Sequence, residues 1–279
     1  MLPLSAHHIV DLFCWVDEVL ALPKRKGPGR PPKLADTEVV TALIWCTLVL
    51  KQTTLKDIHT TLEMYHTKDF PKLPTYTTFV DEVHHALPFL FDLLSSVLSS
   101  EEATRIMDST MLPVCKLHRV DHYSVAPTMA QFGKNWQGWH FGFKLHASTS
   151  LDGRLCGIAL TDASVYDAQM EHLLLNKHTR LAVGDTLYGA RVMRERMWKR
   201  YGTVIIAPPH PKQKKKIATP WQIDLLDIRS KIESVFDVLK EHLHLVSSFP
   251  RSMMGYLVHY IRVLLSYQIM ILGRIQAAM

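Results

Sequence analysis

Asp108 stands in the middle of an apolar run, RIMDSTMLPVCK, in which Ile106, Met107, Met111, Leu112 and Val114 are spaced as in a strand packed on a core. An unpaired carboxylate is costly to hold in such a segment. Asp185 follows Gly184 at the end of the short apolar strand LAV, and strand ends in open α/β sheets are where ligand sites collect. If the two strands are neighbours, their carboxylates repel unless a proton or a cation sits between them, and a divalent metal meets that need. A third acid, Glu233, lies in DIRSKIESVFDVLKEHL, after Thr219-Pro220, a cap followed by a first-position helix start. At about 100° per residue, Arg229, Glu233 and Lys240 share a stripe about 40° wide. Ile228, Ile232, Val235 and Leu239 form a second stripe that would seat the helix on a sheet. Taken alone, the Arg/Glu/Lys stripe reads as an exposed ion-pair ladder, which is common on helices.

The elements that must position these acids follow from periodicity. RIMDSTMLPVC and GWHFGFKLHAST are expected as strands, and the second is joined through the Asp152-Gly153 turn to a third, LCGIALTDA, as a hairpin. SVYDAQMEHLLLNK is expected as a helix, RLAVGDT as a short buried strand, YGARVMRERMWKRYG as a helix and TVIIAPP as a further buried strand. Three strands followed by helix, strand, helix and strand specify a mixed five-stranded sheet with helices on its faces. Residues 1–102 are expected as a helical, DNA-binding N-terminal region interrupted by a basic linker or arm, KRKGPGRPPKL, and 103–279 carry the sheet and the helices that follow it. Within the first region, DTEVVTALIWCTLVL is a buried helix. TLKDIHTTLEMY and TYTTFVDEVHHAL are two short amphipathic pieces, fitting a helix-turn-helix or a small helical lid.

Charge narrows the partners. Lys and Arg outnumber Asp and Glu by 32 to 26, a net charge of +6 over 279 residues, so a polyanion is a plausible partner. The surplus gathers in KRKGPGRPPKL, whose Gly29-Arg30-Pro31 core resembles arms that lie in the minor groove, with Lys33 beside it. A second concentration runs from Arg191 to Lys216, through Arg194, Lys214 and Lys215, against the single acid Glu195. Met193, Met197 and Tyr201 make the buried stripe of its helix and leave the arginines outward. Trp136, Trp139 and Trp221 offer base-stacking surfaces, but core packing is the reading their type favours. The four cysteines lie far apart without metal-site spacing and read as reduced core residues of a cytosolic protein. The N-terminal segment lacks the pattern of a signal peptide, and VVTALIWCTLVL is too short to span a bilayer. Neither GxGxxG nor GxxxxGK[ST] occurs, which argues against a nucleotide-binding enzyme on a doubly wound sheet.

Together, MDST, GDTLYGA and RSKIESVFDVLK, in that order on strand, strand and helix, resemble the DDE-type transposases of bacterial insertion sequences. The last segment follows their Y-x2-R-x3-E-x6-K signature at Arg229, Glu233 and Lys240, with Leu226 where the signature has Tyr. DSTMLPVCKLHR and GKNWQGWHFGFKLH are similar to the matching stretches, so the resemblance runs from about residue 103 to 250. It implies a ribonuclease-H-like catalytic domain in which Asp108, Asp185 and Glu233 hold two Mg²⁺ ions, with Mn²⁺ able to substitute. It implies cleavage and joining of double-stranded DNA at the terminal repeats of the element, and Arg229 and Lys240 as phosphate positioners. A homodimer assembled on DNA, in a prokaryotic cytoplasm at the nucleoid, completes the expectation. The rival expectations are a metal-dependent nuclease that cuts without joining and a relic that only binds DNA.

Overall fold

The computed structural model describes residues 8–23, 31–209 and 219–278, and its contacts divide the chain into two units. One runs from Met1 to Val97 and again from Leu239 to Met279, and the other from Leu98 to Val238.

The first unit opens with α1 (Ile9–Leu20), α2 (Asp36–Leu48), α3 (Leu55–Tyr65), α4 (Tyr76–His85) and α5 (Leu87–Val97). α2 is apolar on every side and buried from Val39 to Leu48, as a central core helix must be. Its threonines survive burial because Thr41 and Thr47 donate to the carbonyls of Thr37 and Leu43, each at 2.7 Å. The Glu38 carboxylate accepts the Ala35 N–H at 2.6 Å and closes the helix start. α3 is capped by Thr54, whose hydroxyl accepts the Asp57 N–H at 3.0 Å.

The second unit is built on a mixed sheet of six strands: β1 (Thr104–Pro113), β2 (Gln131–Asn135), β3 (Gly138–Thr149), β4 (Leu155–Asp162), β5 (Leu181–Val183) and β6 (Val204–Ile206). β1 lies between β3, antiparallel, and β5, parallel, and β6 extends the sheet parallel to β5. β4 pairs with the later part of β3 and β2 with its first residues, as a hairpin. The order β4-β3-β1-β5-β6 is the mixed five-stranded ribonuclease-H-like sheet. The added strand, β2, lies in GKNWQG-type sequence whose glycine and polar residues hide its alternation.

α6 (Glu171–Leu174), α7 (Arg191–Tyr201), α8 (Pro220–Asp227) and α9 (Ser230–Asp237) complete this unit. Met193 and Met197 of α7 and Leu174 of α6 pack with Met107, Ala182 and Ile205 of the sheet, and α9 packs on β1. Two expected helices are shorter than their patterns. SVYDAQMEHLLLNK yields only a 3-10 turn, Asp167–Gln169, and α6. The Leu174 carbonyl accepts from Arg105 Nη1 at 2.9 Å and from Ser148 Oγ at 2.7 Å, and the next residue, Leu175, is already extended. The segment after Thr219 begins at Pro220 as expected, but breaks between α8 and α9, where Ser230 Oγ donates to the Asp227 carbonyl at 3.0 Å. It ends in a π-helical turn, Val238–His242, so the azimuth of Lys240 no longer follows a 3.6-residue period.

α10 (Met253–Ala278) belongs to the first unit, where it packs on α2 and α5. A division at 102/103 had placed this helix with the sheet; contacts instead return the chain to the helical unit at Leu239. Its Met253–Gly273 portion has the length and apolar composition to cross a bilayer, yet 72% of that window is buried inside the protein, as in a core helix. Within this helix the buried Arg262 donates to the carbonyls of Gln52 at 3.1 Å and Thr53 at 2.6 Å.

Candidate active site

Parallel pairing of β1 with β5 sets Ile106 opposite Val183. Asp108 comes two residues later on β1, on the face of Ile106, and Asp185 two residues after Val183, just past the end of β5 where the backbone is still extended. Met107, on the other face, is in the core with α7, so Asp108 points to the side on which α9 packs. Both acids are fixed in the same way. Asp108 Oδ1 accepts the N–H of Ser109 at 2.8 Å, and Asp185 Oδ1 accepts that of Thr186 at 2.5 Å, capping the 3-10 turn Thr186–Gly189. Gly184 makes that turn possible, because a Cβ there would lie 2.9 Å from the ring of Tyr188, which is completely buried beneath it.

Glu233, in the first turn of α9, completes the trio in kind, and Arg229 links it to the sheet. Arg229 Nη2 lies 3.1 Å from Glu233 Oε1, and Nη1 lies 3.7 Å from Asp108 Oδ2. The Arg229–Glu233 part of the helix stripe is thus an ion pair, and one end of it reaches the half-buried acid of β1. Burial pushes the Asp108 carboxyl up to about 6, with the charges of Asp185 and Asp167 adding to the rise and the Ser109 N–H and Arg229 opposing it.

Asp167 has no spacing signal in the sequence and is found only in the structure. Its Oδ1 lies 3.2 Å from Lys144 Nζ and 3.4 Å from His146 Nδ1. His146 is fully buried, contacts Thr161 Oγ1 through Nε2 at 3.0 Å, and is pushed down to about 4 chiefly by burial. It is therefore neutral at pH 7.

The basic residues divide. Arg191 is held by Glu195 at 2.7 Å, and Arg196 is bound to the completely buried Glu171. The Arg194 guanidinium has neither hydrogen bond nor ion pair among the described residues. Arg194 lines a cavity of about 590 Å³ beside the Asp185 turn, shared with Tyr166, Thr186, Arg191 and Pro208. Lys33 lies in the helical unit, its backbone N–H donating to Glu82 Oε1 at 3.3 Å, and Lys240 lies in the π-helical turn after α9. Arg30, Lys214 and Lys215 fall outside the described residues. Core packing does not hold for the tryptophans: Trp136, Trp139 and Trp221 are all exposed.

The donors fit a hard divalent cation in kind, since all three are carboxylates, and the charge of Asp185 is felt at Asp108. Glu233 is turned to Arg229, and among the described residues no three His, Cys, Asp or Glu side chains converge as a metal cluster. A family model described as the transposase DDE domain matches residues 98–253. A comparison with curated proteins returns no match.

Proposed function

Because this chain belongs to the family of transposase DDE domains, we propose that it cuts DNA at the terminal inverted repeats of a mobile element and joins the freed 3′ ends to target DNA. Family membership makes it an enzyme of the nuclease or transferase type with DNA as its partner, in a family that generally uses divalent metal ions. The reading rests on one observation above the others, the placement of Asp108 on β1 and of Asp185 just past the end of β5, each two residues beyond the Ile106–Val183 pair of these neighbouring parallel strands.

In this reading Asp108, Asp185 and Glu233 hold two Mg²⁺ ions, for which Mn²⁺ can substitute. When bound, such ions polarise a phosphodiester and make water or a 3′-hydroxyl a stronger nucleophile. The backbone N–H groups of Ser109 and Thr186 hold one oxygen of each aspartate and so fix the orientation of the other. Arg229 passes from the carboxylates to a backbone phosphate when DNA enters. Arg191 and Arg194, beside the Asp185 turn, track the backbone next to the cut, with Lys240, Lys214 and Lys215 contributing positive charge. α3 and α4, with the arm around Arg30 and Lys33, recognise the element ends, and two copies assemble on the paired ends.

The test is cleavage of DNA carrying the gene's own flanking sequences, with Mg²⁺ or Mn²⁺, by wild type and by Asp108→Ala, Asp185→Ala and Glu233→Ala. Metal-dependent 3′-hydroxyl ends and joined products from the wild type, lost in all three variants, are expected. Cutting that persists in any variant would move the active site, and cutting without joined products would leave a nuclease.

A further inference from the structure

The β2–β3 hairpin is a rigid blade with an aromatic edge. Its ladder ends at the pair Asn135–Gly138, so Trp136 and Gln137 form the turn. Asn135 Oδ1 accepts the Gln137 N–H at 2.9 Å and pairs with His140 Nε2 at 3.0 Å, which locks that turn. The opposite face is anchored, because a Cβ at Gly133 would fall 2.2 Å from the carbonyl oxygen of Ala163. Register places Phe132 opposite Phe141 and Lys134 opposite Trp139, and these four side chains share one face. The Phe132 and Phe141 rings are 5.0 Å apart, and Lys134 Nζ lies 5.6 Å from the centre of the Trp139 ring. Trp136 is 90% exposed, Trp139 55% and Phe132 47%.

Three large rings held in water on a locked hairpin are an expensive arrangement for a fold to keep, and such patches mark interaction sites. The chemistry of this one is specific. Flat apolar faces alternate with a cation. Tyr123, in edge contact with Phe141 at 5.7 Å, follows a 3-10 turn, Leu117–His122, at which the cations Lys116 and Arg119 are exposed beside the single acid Asp121. Rings that stack, beside positive charge that tracks phosphates, are the means by which proteins hold unpaired bases. Duplex DNA keeps its base faces closed, so the matching ligand is single-stranded.

We infer that the β2–β3 hairpin is a stacking platform for unpaired nucleotides of single-stranded DNA, with Trp136 and Trp139 as the stacking faces and Lys134 beside the connecting phosphates. The inference rests on DNA being the substrate, but it is testable without the cutting reaction.

The full chain is titrated in EDTA with a fluorescein-labelled 20-nucleotide oligo-dT and, separately, with a 20-base-pair duplex. Wild type, Trp136→Ala/Trp139→Ala and Trp136→Phe/Trp139→Phe are compared, with circular dichroism to confirm folding. The alanine pair is expected to weaken oligo-dT binding at least tenfold while changing duplex binding less than twofold. The phenylalanine pair should recover most of the loss. Equal oligo-dT affinity for wild type and the alanine pair, or equal loss on both DNAs, overturns the platform. A shift from dimer to monomer in sedimentation of the alanine pair, with oligo-dT affinity unchanged, would instead assign the face to a second copy. Cutting that persists in Asp108→Ala or Glu233→Ala, in a chain that still shows the oligo-dT difference, would sink the active-site reading and leave this one standing.

Discussion

Asp108 on β1 and Asp185 just past the end of the neighbouring parallel strand β5 each lie two residues beyond the Ile106–Val183 pair, and each accepts the N–H of its own successor. Replacing either by Asn keeps that local hydrogen-bonding capacity and removes one negative charge. We expect both substitutions to reduce DNA cleavage by about 10³-fold or more without loss of fold. Millimolar Mg²⁺ should raise the thermal midpoint of the wild type, as any ligand of the folded state does, and fail to raise that of Asp108→Asn. Differential scanning fluorimetry with and without Mg²⁺ reads this without any reaction.

Arg229 touches both Asp108 and Glu233, yet its side chain is 32% exposed and that of Glu233 is 54% exposed. Exposed pairs of this kind contribute about 0.2–1 kcal/mol. Arg229→Ala should therefore lower stability by no more than about 1 kcal/mol in urea unfolding while reducing DNA cleavage at least tenfold. A cleavage rate unchanged in Arg229→Ala would return the residue to the role of a surface ion pair.

Gly184→Ala tests the turn that carries Asp185. The added methyl would meet the Tyr188 ring at 2.9 Å, and overpacking of this kind costs about 1–3 kcal/mol. The thermal midpoint should fall by several degrees, and Tyr188→Leu in the same chain should restore part of it by vacating the ring position.

Arg194 has no partner among the described residues, whereas Arg191 is held by Glu195. Measured as log K against log salt, Arg194→Ala should flatten the slope of duplex binding by about one contact. Arg191→Ala should flatten it less, since Glu195 already opposes that charge.

The helical unit should weaken in acid. His259 Nε2 donates to the carbonyls of His244 at 3.0 Å and Leu245 at 3.2 Å, while Nδ1 faces Arg262 Nη2 at 3.2 Å, so a proton on Nδ1 would confront a buried cation. Burial, with Arg262 second, holds the imidazole down to about 3 against an ordinary 6.5. A depressed His favours the fold when neutral. Its contribution is present above pH 6.5 and is lost as pH falls toward 3, at up to about 1.4 kcal/mol per pH unit. Urea midpoints between pH 7 and 5 should fall for the wild type and fall less for His259→Gln; His146, also depressed, adds a slope of the same sign that this variant leaves in place.

Periodicity and residue type were enough to place Asp108 on a strand, Asp185 at the end of another and Glu233 on a helix, because each is a local property of a few neighbours. The hairpin at Asp152-Gly153 and the buried stripe of Met193 and Met197 were legible for the same reason. What lies between elements was not. That β1 runs beside β5 in the register that aligns two aspartates is a long-range pairing, decided by which apolar faces bury together. Asp167 enters the same electrostatic field, and Glu171 captures Arg196, through contacts between segments that share no motif. The tryptophans went against their type, since the hairpin that carries Trp136 and Trp139 turns them away from the sheet's core. α10 reads as an apolar helix in any context, and only packing against α2 and α5 assigned it to the helical unit. Local sequence determined the chemistry available at each position; burial and strand pairing, which act across the whole chain, determined which of those chemistries meet.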